Sequence, residues 1–143
     1  MSPQRRALDD PAEWLNRAKS NLQRARADIR LPGVYLEDLC FDAQQAAEKA
    51  IKAVLLHLEV RFRHVHDLGQ LLTLIQEQGE SLPARVKEAP RLTRFAVEAR
   101  HPGLAEPVSR EEYERATEIA EAVIKWAEAR IQGKPQLPRN PRG

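Results

Sequence analysis

Residues Cys40 to Leu55 read CFDAQQAAEKAIKAVL, and their spacing decides the fold class. Apolar residues recur at three- and four-residue steps through this stretch and beyond it, at Leu36, Leu39, Cys40, Ala43, Ala46, Ala47, Ala50, Ile51, Val54, Leu55 and Leu58. That is the period of an α-helix, and the stripe is broad enough to face several neighbours, so a central helix from about Val34 to Glu59 is predicted. Its many alanines allow close helix packing and lose little entropy in a helix. Glu48 and Lys52 stand one turn apart as a favourable ion pair. Packing accounts for the whole stretch without a functional role.

Upstream, Asp10-Pro11 has the form of an N-cap followed by proline in the first turn, and Glu13 adds charge suited to a helix start. Trp14, Leu15, Ala18, Leu22, Ala25 and Ile29 form one apolar stripe that stops at Leu31-Pro32-Gly33. Downstream, Arg61 to His66 breaks the period. Leu68, Leu71, Leu72 and Ile75 then predict a short helix ending near Gln78-Gly79. Ser81 before Pro83 reads as a further helix start, but Pro90 removes a backbone donor within the stretch from Pro83 to Arg100, so a kink or two abutting helices is expected there. Ser109 with Glu112 makes a capping box for a last helix, whose stripe is Tyr113, Ala116, Ile119, Ala120, Val123, Trp126 and Ala127.

No strand-like alternation competes with these periods, and no internal repeat is present. The expected fold is all-α: an antiparallel, up-and-down four-helix bundle with an additional short helix. Residues 11–131 form the bundle, 1–10 are expected to be a flexible N-terminus, and 132–143, KPQLPRNPRG at its end, a flexible proline-rich tail.

The chain of 143 residues suits one domain, and 42% hydrophobic with 31% charged residues is the balance of a core-forming, well-solvated protein. Twenty-three basic residues against 21 acidic ones leave a formal charge of +2, so no global field marks an obligate nucleic-acid binder, although a local basic site fits. Cys40 is the sole cysteine, which rules out an internal disulfide or a cysteine-based zinc cluster. With no apolar run near the ~20 residues of a membrane helix and no apolar leader in MSPQRRALDD, a cytoplasmic location is expected, with no membrane association. Dense charge with little Asn, Met or Cys leans towards a thermophilic source.

The stretch from Cys40 to Leu55 resembles the signature helix of the HEPN family, the nucleotide-associated helical partners of minimal nucleotidyltransferases. His66-Asp67-Leu68 resembles that family's turn into its third helix, and Ala99-Arg100-His101-Pro102 resembles its Arg-Tyr-Pro helix end. The likeness spans about Glu13 to Ile131. It implies that Gln45 and Glu48, beside Lys52 in the signature, face inward or towards a subunit interface and are hydrogen-bonded there, as a buried carboxylate requires. It also implies a homodimer and a separately encoded nucleotidyltransferase as partner.

Many HEPN proteins are metal-independent RNases that use an arginine and a histidine with four to six residues between them; here Arg61 and His66 bracket four residues and Arg94 and His101 bracket six. The family's motif sits where Arg100 stands, and beyond it Leu104, Ala105 and Glu106 supply no histidine. The motif is therefore out of register. His101 takes the place of the family's tyrosine and is suited to acid–base work near neutral pH, with Arg94 or Arg100 suited to holding a phosphate. Arg100 and His101 are thus the catalytic candidates, and Arg94, Arg61 and His66 the nucleotide- or RNA-binding ones. The simpler account of Arg100 and His101 is that they cap a helix end.

His64-Val65-His66-Asp67 lacks further clustered ligands, and Glu98 with His101 lacks the second Glu-x-x-His of a di-iron bundle, so neither a metal nor another cofactor is expected. No phosphate-cradling glycine loop appears. Arg17 and Arg24 share a face of the first helix, with Lys19, Arg26 and Arg30 nearby, as either a solvated face or a dock for an acidic partner or phosphate. Three functions follow: a nucleotide- or RNA-associated subunit paired with a minimal nucleotidyltransferase, an RNase toxin whose nucleotidyltransferase partner is the antitoxin, or a non-catalytic interaction bundle.

Overall fold

The computed structural model describes residues 9–62, 64–101 and 107–133. Residues 1–8 of the expected N-terminus, 134–143 of the expected tail, and Pro102, Leu104, Ala105 and Glu106 lie outside the described residues. Those described form five α-helices: α1 (Pro11–Ala27), α2 (Leu36–His57), α3 (Leu68–Gln76), α4 (Thr93–Arg100) and α5 (Arg110–Gln132). Short 3₁₀ segments follow α1 at Asp28–Arg30 and precede α4 at Val86–Leu92. Among the described residues there is no strand, and no helix is long and apolar enough to cross a membrane.

The helix ends follow from the chain's own polar groups. Asp10 Oδ1 accepts from the Ala12 N–H at 2.9 Å with Pro11 in the first turn. Ser109 and Glu112 complete a reciprocal capping box at the head of α5, and Gly133 ends that helix at φ 71°, a left-handed conformation suited to glycine. At the end of α2 the same left-handed position is filled by Glu59, φ 61°. Val60 N–H donates to Leu55 C=O and Glu59 N–H to Leu56 C=O, which closes a Schellman turn without glycine.

The helices alternate in direction. Lys19 pairs with Glu128 and Arg26 with Glu121, so α5 runs antiparallel to α1. Asn21 holds Lys49 while Arg24 holds Asp42, so α2 does too. Arg85 reaching Glu118 and Arg94 reaching Glu112 set the 3₁₀–α4 arm antiparallel to α5. That arm is the fourth member of the bundle, and α3 is the short extra helix. The arm begins later than the Ser81-Pro83 signal suggests, at Val86. Pro90, with no N–H to give, is accommodated by tighter 3₁₀ turns before α-geometry starts at Thr93.

Helix α2 is the axis. It packs against α1, α3, α4, α5 and the 3₁₀ segment before α4, and Ala43, Ala46, Ala47, Ala50, Ile51, Ala53, Val54 and Leu55 are all fully buried. So many neighbours fit around one helix because most of its contact positions are alanine. The larger side chains, Ile51 and Leu55 among them, each stabilise the fold by about 2 kcal/mol.

Candidate functional site

Two polar constellations stand out against this core. The first is built on α2, where Gln44, Glu48 and Lys52 follow one another at one-turn intervals along a buried face. Gln44 Nε2 donates to Glu48 Oε1 and Lys52 Nζ to Glu48 Oε2, both at 2.8 Å. His66, from the loop after α2, approaches the same Oε2 with Nδ1 at 2.8 Å. A carboxylate only accepts, so Nδ1 carries the proton and Nε2 is the free ring atom. The 3.4 Å approach of Lys52 Nζ to Nδ1 is then a contact between two donors. Gln45 lies half-buried at the edge and donates to Gln44 Oε1 at 2.8 Å.

The carboxylate and ammonium are almost sealed, with side-chain exposures of 9% for Glu48 and 7% for Lys52, whereas His66 is 59% exposed. Burial pushes the Glu48 carboxyl up, but the donors His66, Lys52 and Gln44 outweigh it and hold the group below the ordinary carboxylate range. Phe62 caps Lys52, its ring centroid 5.4 Å from Nζ, and packs T-shaped against Trp14 with the ring centroids 6.3 Å apart. Asp67 accepts from Gln70 N–H to start α3, and Leu68 N–H donates to Thr93 Oγ1, which ties the His66 turn to the head of α4.

The second constellation is a cleft of about 200 Å³ between the 3₁₀–α4 arm and α5. Arg91, Arg94 and Arg115 line it, with Phe95, Leu92, Ala116 and Ile119 as its apolar wall and Glu112 as its acid; Arg91 Nη1 also lies 3.5 Å from Glu88 Oε1. Arg94 lies over the Phe95 ring at 4.6 Å. Its ion pairs are loose, 3.7 Å to both Glu98 Oε2 and Glu112 Oε2, and its buried Nε has no hydrogen-bond acceptor; nor has buried Oε1 of Glu98 a donor. Glu112 is committed elsewhere. The Ser109 backbone N–H at its other oxygen is the main reason its carboxyl titrates low.

The sequence candidates therefore separate into groups. Gln45, Glu48, Lys52 and His66 share one network, and Arg94 belongs to the cleft. Arg61 is exposed beside Phe62, on the rim of an open hollow also lined by Leu56, Glu59 and Val60. Arg100 and His101 are exposed at the end of α4, where the His101 N–H closes the helix on Glu98 C=O. Neither side chain bonds to another described residue, and no hydrogen bond joins Arg61 to His66 or Arg94 to His101. Gln44 was missed beside its neighbour Gln45, although it stands one turn before Glu48 and one after Cys40. Arg91 and Arg115 were missed because they join Arg94 only across the arm–α5 junction.

The model of the HEPN domain matches residues 11–130. The chain belongs to the HEPN family. Solved structures share the fold. TT1696 from Thermus thermophilus superposes with a TM-score of 0.68 at 31% identity, covering 84% of this chain and 97% of that one. The archaeal HEPN homologue ST0689 superposes with a TM-score of 0.66 at 24% identity, covering 85% of this chain and 98% of that one. No curated protein matches the chain. In this HEPN domain the signature helix is thus the α2 axis, and its polar residues form the sealed Glu48 network. Among the described residues no cluster of three or more His, Cys, Asp or Glu side chains is arranged to hold a metal ion.

Proposed function

We propose that this HEPN protein is the nucleotide- or RNA-associated helical subunit of a two-component system, working as a cytoplasmic homodimer with a separately encoded minimal nucleotidyltransferase. The observation that carries the reading is the arm–α5 cleft. Three arginines line a volume suited to a phosphate or ribose, and Arg94 is held there only by loose ion pairs of 3.7 Å. Planar guanidinium groups match phosphate oxygens, and the Phe95 face beside them suits a base or sugar. Family membership supports the choice of partner.

The test is calorimetric titration of the purified protein with ATP and with a short RNA, beside Arg94→Ala and Arg115→Ala. Binding that falls about tenfold or more in each variant supports the cleft, because a charge-assisted hydrogen bond is worth about 1.5–3 kcal/mol; equal binding in all three refutes it. Co-purification with the product of an adjacent nucleotidyltransferase gene tests the pairing.

A second reading, a metal-independent RNase toxin, draws on Arg100 and His101 standing exposed on the helix that carries Arg94. In it the imidazole moves a proton and a guanidinium holds the scissile phosphate. RNA left intact by the unmodified protein in EDTA overturns this reading. Cleavage that disappears in the Arg100→Ala, His101→Ala double variant supports it.

A further inference from the structure

A third polar cluster lies where α1 packs on α2. Lys49 Nζ donates to Asn21 Oδ1 at 2.7 Å, Asn21 Nδ2 donates to Asp42 Oδ1 at 3.1 Å, and Arg24 Nη2 donates to the same oxygen at 2.9 Å. Asn21 and Asp42 are buried beneath the cations. Arg17 stands one turn before Asn21 and is bonded to Glu13 at 3.0 Å. Arg17 and Arg24 expose 64% and 63% of their side chains, so the cluster is open to solvent.

The charges there do not balance. Arg17 has Glu13 and Arg24 has Asp42, but Lys49 is held by a neutral amide. The adjacent Glu48 is taken up by Lys52 and His66. Partial burial, and then repulsion from Arg17 and Arg24, pushes the Lys49 ammonium down from its ordinary value. One positive charge is left over, in a seat with two exposed guanidinium forks beside it and a fixed asparagine below.

We propose that Arg17, Arg24 and Lys49 form a binding seat for a backbone phosphodiester of a nucleic acid. A phosphodiester carries one negative charge, which matches the one left uncompensated, and its two free oxygens accept from guanidinium and ammonium together. Its cations address phosphate oxygens rather than base edges, so it contributes affinity and register without sequence preference. It stands apart from the arm–α5 cleft and does not depend on the reading of that cleft.

The experiment is fluorescence anisotropy of a labelled 12-nucleotide RNA with the full chain across a salt series. Arg17→Gln, Lys49→Gln and their double variant are compared with Lys19→Gln, Arg26→Gln, a control that removes the same charge from cations engaged by Glu128 and Glu121. The seat predicts several-fold weaker binding in each single variant, with the slope of log affinity against log salt falling by about one for each cation removed, while the control stays within about twofold of the parent. Equal losses in control and seat variants reduce the effect to net charge and overturn the proposal. So does binding unchanged in the double variant. Competition separates the sources of phosphate. Displacement by unlabelled oligonucleotide supports the proposal, whereas displacement by millimolar inorganic phosphate or AMP alone assigns the seat to a phosphomonoester and overturns it. Thermal melts of every variant verify folding, and arginine cleft variants assayed in parallel separate failure here from failure at the cleft.

Discussion

Replacing Glu48 by Gln tests the sealed network directly. The substitution keeps the shape but turns one acceptor oxygen into an NH₂ donor and removes the charge. Lys52, 7% exposed, then lies buried without its counterion. The remaining donors from Gln44, Lys52 and His66 converge on a group with only one acceptor atom. Removing one partner of a buried ion pair costs about 3–5 kcal/mol, because the survivor keeps its desolvation penalty. His66 is mostly solvated and can return to water, so the lower figure applies: about 3 kcal/mol, or a drop of roughly 10 °C in Tm for a chain of this size. Urea and thermal unfolding at pH 7 measure it. The double change Glu48→Leu, Lys52→Met removes both charges and should lie closer to the parent than Glu48→Gln does. A loss below about 1 kcal/mol for Glu48→Gln, or a double variant worse than the single, refutes the reasoning.

Other outcomes follow from the same structure. The carboxyls of Glu48 and Glu80 are held below their ordinary value of 4.5, Glu80 by the bidentate Arg130 fork. The unfolded chain therefore takes up protons first as pH falls, and this stabilisation is full above pH 4.5 and lost below it as the folded groups titrate. Urea midpoints between pH 7 and pH 3 should fall most steeply under 4.5, and less steeply in Glu48→Gln. Cys40 is fully buried and burial pushes its thiol up to about 12, so it should resist a thiol reagent at pH 8 until urea unfolds the chain; prompt labelling of native protein contradicts this. Glu59→Gly, at an exposed left-handed position, should stabilise by about 0.5 kcal/mol, since relief of Cβ strain exceeds the added flexibility of the unfolded chain. Chemical denaturation resolves that difference.

Much of the fold was legible because its signals are local. The Asp10 and Ser109 caps and the apolar stripe of α2 each depend on residues within a turn or two, and Pro90 announced its break for the same reason. The start of the arm was misjudged at Ser81, where local chemistry permits a helix but helical geometry waits until Val86. The site was less legible. Glu48 and Lys52 pair within one helix, but that His66 completes the pair depends on a loop reversal involving left-handed Glu59 and His64, neither of which is glycine. The convergence of Arg91 and Arg94 with Arg115, and of Lys49 with Arg17 and Arg24, is set by helix packing between distant segments. Charge-rich helices display many such arginines, and sequence spacing gives no means of telling which ones meet.

Helix α4 has Phe95 as its single buried side chain, whereas α2 is embedded along most of its length. The two therefore differ in how cooperatively they are tied to the molecule. Opening α4 exposes little apolar surface and leaves the α1–α2–α5 packing intact, so its amides should exchange with solvent at a free energy well below that of global unfolding. Arg94, Arg100 and His101 thus ride on the helix most easily repositioned, while Glu48 is fixed in the most rigid one. A ligand or second subunit gripping α4 would gain an adjustable contact surface without disturbing the core.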